Sequence, residues 1–188
     1  MTNILVLVGS LRAASLNRQL AEVAVELGTA EGLDVTVYGG LGELPFYNED
    51  LDTADVPAGV AALRDAADRA DAVLAVTPEY NGSIPAVLKN AIDWLSRPYG
   101  NSAIKGKPIA VIGTALGQYG GVWAHDETRK SFGIAGGRVV DSVTLSVPAG
   151  TLDGRHPREA AELVAGVREA LQKLAEARAA RSAEESVA

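Results

Sequence analysis

The sequence predicts one α/β domain, with a parallel β-sheet carrying helices on both faces. Three observations predict it. Short, unbroken apolar runs are each closed by a turn-forming cluster, and the stretches between them repeat apolar residues at three- and four-residue intervals. The composition agrees: 47% of residues are hydrophobic and only 5% aromatic, which suits helices on an aliphatic sheet better than an aromatic-filled sandwich.

Ile4 to Val8 reads as a strand buried on both faces, stopped at Gly9-Ser10. Leu16, Leu20, Val23, Ala24 and Leu27 then mark an amphipathic helix ending near Gly28. Leu33 to Tyr38 is a second strand, followed by a rim loop from Gly39 to Asn48. A helix over about Ala58 to Ala70 leads to a third strand, Ala72 to Val76, closed by Thr77-Pro78-Glu79-Tyr80-Asn81-Gly82. Pro85 opens the next helix, which reaches about Leu95.

Pro108 to Gly113 is the fourth strand, with a glycine-rich turn and a helix from about Val122 to Phe132 after it. The fifth strand lies within Val139 to Val147, and Leu163, Val167, Leu171 and Leu174 place a last helix over Arg158 to about Ala180. Residues 1–180 are thus expected to form the domain and residues 181–188 a disordered tail. With strands and helices alternating and crossovers right-handed, ligands are expected beyond the carboxyl ends of the strands.

Composition excludes several chemistries. No cysteine is present, so disulfides, thiol nucleophiles and Cys-ligated metals are ruled out. His125 and His156 stand in no metal-binding spacing. The formal charge of −7, from 17 Lys+Arg against 24 Asp+Glu, disfavours nucleic acid. The N-terminus has no basic leader, and its apolar run is far too short to span a bilayer. A soluble cytoplasmic protein borrowing its redox chemistry from an organic cofactor is the expectation.

Three loops carry candidate chemistry. Gly9 to Asn17 joins a strand to a helix N-terminus, where orphan N–H groups favour a phosphate and Ser10, Arg12, Ser15 and Asn17 add donors. Ser15 could equally be a plain N-cap, and Arg12 a solvated side chain. The loop is neither a G-K-[ST] phosphate loop nor a G-x-G-x-x-G fingerprint. Thr77 to Ser83 forms a turn whose backbone could meet the edge of a flat ring, or could be an ordinary polar turn. In Gly113 to Gly121, Gly117, Gly120 and Gly121 allow close backbone approach to a ligand, or serve the turn alone.

G-S-L-R-A-A-S-L-N-R at 9–18, T-P-E-Y-N-G-S-I-P-A-V-L-K-N-A-I-D-W-L-S-R at 77–97 and L-G-Q-Y-G-G at 116–121 resemble the NADPH-dependent FMN reductase family, with its quinone, chromate and azo-dye reductase relatives. The resemblance implies a flavodoxin-like three-layer sandwich with five parallel strands in the order 2-1-3-4-5. It implies FMN as cofactor, NADPH or NADH as co-substrate, and a small-molecule acceptor. Ser10, Arg12, Ser15 and Asn17, with the Leu16 amide, resemble the phosphate site. Pro78, Glu79, Tyr80, Asn81 and Gly82 resemble residues beside the ribityl chain and ring, and Thr114, Gly117, Gly120 and Gly121 resemble the loop on its other side. Where relatives often carry Ser, this chain has Ala115.

The resemblance also implies a homodimer or homotetramer, packed through the helices after strands 3 and 4, with Val87, Leu88, Ile92, Trp94 and Leu95 as interface or intrachain core. The expected enzyme is an NAD(P)H oxidoreductase needing no catalytic side chain, because the redox chemistry belongs to the cofactor. Glu79 would touch the nicotinamide and Tyr80 the flavin. The alternative is a non-enzymatic electron carrier of the flavodoxin kind, although Gly9-Ser10-Leu11-Arg12 stands where such carriers resemble T-G-N-T. His125 is expected at a surface or interface rather than in catalysis, and His156 in a loop.

Overall fold

The computed structural model describes residues 1–186. Five strands lie parallel in the order β2-β1-β3-β4-β5, and a sixth segment, β6, also pairs with β4. The strands are β1 (Asn3–Val8), β2 (Asp34–Val37), β3 (Ala72–Val76), β4 (Pro108–Ala115), β5 (Arg138–Val139) and β6 (Ser146–Pro148). The helices are α1 (Leu16–Ala30), α2 (Ala58–Arg69), α3 (Ala86–Leu95), α4 (Val122–Ile134) and α5 (Ala161–Glu185). This is the flavodoxin-like order expected from the sequence, whose direction reverses between β1 and β3.

Each central strand is apolar throughout because it feeds two cores. Ile4, Val6 and Val8 of β1 pack with Leu20, Val23, Val167 and Leu171 of α1 and α5. The alternate residues Leu5 and Leu7 pack on the opposite face with Val60, Leu63, Leu88 and Phe132 of α2, α3 and α4. The two-residue period of a strand sends successive side chains to opposite faces, so the unbroken apolar runs are what a doubly covered sheet requires.

Four boundaries differ from the sequence reading. Gly28 does not end α1: it is buried, and a Cβ there would run into the Val35 side chain of β2, so its small size serves packing. Pro85 precedes α3 as its N-cap rather than lying in its first turn. The last helix begins at Ala161, after a 3-10 turn at Pro157–Glu159, and continues through Glu185 instead of fraying at Arg181. Val187 and Ala188, also assigned to the expected tail, lie outside the described residues.

The fifth strand is not continuous. Arg138–Val139 pairs with Pro108 and Ile109, and Ser146–Pro148 pairs with Gly113 to Ala115. Between them the Arg129 guanidinium of α4 donates from Nη2 to the Val111 carbonyl at 3.1 Å and the Val143 carbonyl at 2.9 Å. The side chain supplies the donor that an unbroken strand would have brought to Val111.

Candidate functional site

The loops after β1, β3 and β4 meet at the carboxyl edge of the sheet, and β1 and β3 are the neighbours at which strand order reverses.

In the first loop Ser15 is the N-cap of α1, its hydroxyl accepting the Asn17 backbone N–H at 3.2 Å. Among the described residues, the backbone N–H groups of Ser10, Leu11, Arg12, Ala13, Ala14 and Leu16 have no acceptor. Arg12 is exposed and its guanidinium has no partner among the described residues. Unpaired amides in front of a helix N-terminus, with a free cation and the Ser10 hydroxyl alongside, are a donor set for a phosphate monoester. The residues fit the phosphate end of FMN.

Asn17 does something other than expected. Its side chain is buried and committed to the backbone of β4: Oδ1 accepts the Thr114 N–H at 3.0 Å and Nδ2 donates to the Thr114 carbonyl at 2.8 Å. Thr114 itself belongs to β4 rather than to the loop after it, and its hydroxyl is buried without a partner among the described residues.

These bonds mark a fork between β3 and β4. The ladder runs to the Thr77 N–H, which donates to Ile112 at 3.0 Å. The next rung would join the Thr77 carbonyl to the Thr114 N–H. Instead Asn17 takes the Thr114 N–H, and the Thr77 carbonyl accepts from Nε2 of His125 at 2.9 Å. Gly113 lies in the crotch: a Cβ there would overlap the Thr77 carbonyl oxygen and approach His125 Nε2 at 2.7 Å and Asn17 Oδ1 at 2.9 Å. The carboxamide and the imidazole complete the hydrogen bonding that separation of the strands leaves open.

His125 is therefore neither a surface nor an interface residue, being fully buried in α4. A carbonyl can only accept, so Nε2 carries the proton and Nδ1, 2.6 Å from the Ser146 hydroxyl, accepts. Burial holds His125 below its ordinary value, with nearby Arg129 acting in the same direction and the Thr77 carbonyl opposing.

After the fork, Tyr80 and Ser83 exchange backbone hydrogen bonds at 3.1 and 3.0 Å. Asn81 at φ 54° and Gly82 at φ 73° form the corner. Asn-Gly is the pair best suited to two successive left-handed residues, so the turn after Pro78 is locally encoded. Glu79 points at the protein: its Oε2 accepts the Ala124 N–H at 3.1 Å, in the first turn of α4. That helix has glycine at its N-cap and no capping side chain of its own, so Glu79 caps it from another loop. Ser83 adds a 2.6 Å hydrogen bond to Glu127.

Two glycines of the third loop also answer to the protein. A Cβ on Gly120 would lie 2.5 Å from the Val147 backbone, and one on Gly121 would lie 3.2 Å from His125 Nε2. Gly117 faces open space. Half-exposed Tyr80, Tyr119 and Trp123 gather on this side, Tyr119 and Trp123 with ring centroids 5.5 Å apart and Gly82 beside the Trp123 ring. Apolar surface of this kind, next to a turn with free backbone groups, fits a flat heteroaromatic ring.

Trp94 resolves as intrachain core: fully buried, it donates from its indole N–H to the Pro45 carbonyl at 2.8 Å. Asn90 holds the same carbonyl and the Tyr47 N–H, so α3 pins the rim loop. A separate cavity of about 500 Å³ lies between α3 and the end of α4, lined by residues including Lys89, Arg97, Tyr99, Lys105 and Ile134, away from the three loops. Among the described residues no cluster could hold a metal ion, and no helix is long and apolar enough to cross a membrane.

Sequence reasoning missed the positioning roles of Asn17, Gly113, His125 and Arg129. Only Gly113, a glycine inside a strand pattern, carried a signal of close backbone approach.

A fold of this order with a phosphate-type donor loop at its switch point defines a flavodoxin-like nucleotide-binding protein. The NADPH-dependent FMN reductase family matches residues 2–151. A quinone reductase of Pseudomonas putida is 46% identical over 129 residues, 69% of this chain and 68% of that protein. A 2-hydroxy-1,4-benzoquinone reductase of a Burkholderia species is 46% identical over 127 residues, 67% of each. The solved structure of FerB, a flavoenzyme NAD(P)H:(acceptor) oxidoreductase from Paracoccus denitrificans, superposes with a TM-score of 0.80 at 37% identity, covering 94% of this chain and 98% of that one. This chain belongs to the NADPH-dependent FMN reductase family. It is an enzyme, an NAD(P)H-dependent flavin oxidoreductase with FMN as its cofactor.

Proposed function

We propose that the chain reduces quinone-type acceptors with NAD(P)H, holding FMN across the reversal point between β1 and β3. The phosphate rests on the amides of Ser10 to Ala14 and of Leu16 with the side chains of Ser10, Arg12 and Ser15, and the ring lies along Pro78, Tyr80, Asn81 and Gly82, with Thr114, Gly117, Gly120 and Gly121 on its other side. The observation that carries this reading is the row of unpaired N–H groups before α1, on the same sheet edge as the Asn-Gly turn. Bound FMN supplies the two-electron redox chemistry between nicotinamide and acceptor.

The protein's part is to bind and orient. Glu79 acts through α4, fixing the third loop against the second, and Asn17 acts through Thr114. Tyr80, Tyr119 and Trp123 favour a flat acceptor over a metal oxyanion. The two quinone-named relatives support the same class.

The assembly we assign is a homodimer through α3 and α4, where Tyr99, in the loop just after α3, and Ile134, at the end of α4, are exposed, in the cytoplasm, where NAD(P)H is at hand. Light scattering of the purified protein tests the dimer, and cell fractionation the location.

Recombinant protein should be yellow, with flavin absorbance near about 450 nm, and should oxidise NAD(P)H faster with benzoquinones than with azo dye, free flavin or chromate. Replacing Arg12 and Ser15 together with Ala should loosen FMN. Colourless protein that cannot be reconstituted with FMN, or chromate as the best acceptor, would overturn the reading.

A further inference from the structure

His125 stands where the three loops are tied together. Its Nε2 holds the carbonyl of Thr77, the residue at which β3 leaves β4. Its Nδ1 holds Ser146, the first residue of β6, which pairs with Gly113 of β4. The ring occupies a slot that exists because Gly113 and Gly121 lack side chains: a Cβ on either would stand 2.7 or 3.2 Å from Nε2.

Asn17 holds the other arm of the fork through Thr114. Without the imidazole, the Thr77 carbonyl would be left buried and unpaired, and the cheapest relief would be for β3 to close back toward β4 or for the turn to swing toward water.

We infer that His125 is a positioning residue for the cofactor: by holding the Thr77 carbonyl away from β4, it fixes the direction in which Pro78 to Gly82 leave the sheet, and so sets the grip on the flavin ring. The inference rests on the assignment of that turn to the ring. It makes the side chain's hydrogen-bond donor at the Nε2 position, rather than its charge or bulk, the property that matters.

The test titrates apoprotein with FMN, following the quenching of flavin fluorescence, and records the apoprotein melting temperature beside it. His125→Leu removes the donor. His125→Gln restores a donor near the Nε2 position and an acceptor for Ser146, whereas His125→Asn carries its amide nearer the Nδ1 position and falls short of Thr77.

The expected result is an FMN Kd raised about tenfold or more in His125→Leu and His125→Asn, and within about threefold of wild type in His125→Gln. If His125→Leu does not fold, the two amide variants carry the test alone. Equal FMN Kd in His125→Asn and His125→Gln, with lowered melting temperatures in both, overturns the inference and leaves a purely structural histidine. Wild-type protein that takes up no FMN overturns the site reading instead, and this inference with it.

Discussion

Asn17, at the start of α1, and Thr114, near the end of β4, are 97 residues apart and joined by two hydrogen bonds of 2.8 and 3.0 Å. A side-chain amide here presents to a strand the same donor and acceptor that another strand's backbone would. It fastens the helix that follows the first loop to the strand that precedes the third.

Asn17→Ala should leave the Thr114 N–H and carbonyl buried and unpaired. A loss of about 1–3 kcal/mol is expected in urea denaturation of the apoprotein, at the scale of an unsatisfied buried polar pair. Asn17→Asp should lose comparably, because the donor to the Thr114 carbonyl is gone and two acceptors face each other. An unchanged denaturation midpoint in either variant would contradict the clamp.

Glu79→Ala should destabilise α4 by about 1 kcal/mol through loss of a cap and of a negative charge at the helix N-terminus. Glu79→Gln keeps the acceptor and should recover part of that. Because part of the effect is electrostatic and the site is only half-buried, the difference between the two variants should shrink as salt is added. A salt-independent difference would argue against the helix-end role.

Gly113→Ala should be among the most damaging single-methyl changes in the chain, because the new atom meets backbone and two committed side chains. Destabilisation of about 3 kcal/mol or loss of soluble protein is expected. Gly117→Ala, where the added Cβ meets nothing within 4 Å, should change stability by less than about 0.5 kcal/mol. Thermal unfolding of the pair checks the contrast, and similar losses in both would refute it.

His125 should give the fold an acid sensitivity. Burial depresses its folded value below the ordinary 6.5, so above that pH both folded and unfolded chains hold it neutral and stability is unaffected. As the pH falls below about 6.5, the unfolded chain takes up a proton that the folded one resists, and stability declines until the folded value is passed. Unfolding free energy measured from pH 7.5 to 5 should fall more steeply in wild type than in His125→Gln. Parallel curves would show that the imidazole is not the titrating group.

Much of this protein is written locally. The two-face apolar runs at Ile4 to Val8 and Ala72 to Val76, the helix periodicities and the Asn81-Gly82 corner depend on neighbours in sequence, so they are legible there. The loop Ser10 to Leu16 is legible as a run of unpaired donors, broken only at Ser15, for the same reason, since strand, cap and helix follow one another along the chain.

What the sequence by itself determined, then, is the doubly wound sheet, the edge at which its three loops meet and the turn chemistry of those loops. Only the tertiary structure decided what Asn17, Glu79, Gly113, Gly120 and His125 do, because each acts on backbone far away in sequence. An amide can face a phosphate or a strand, and a carboxylate can face a nicotinamide or a helix end. The choice is made by which unpaired N–H or carbonyl the folded chain brings within about 3 Å, the ordinary reach of a hydrogen bond, and residue type and spacing leave that open.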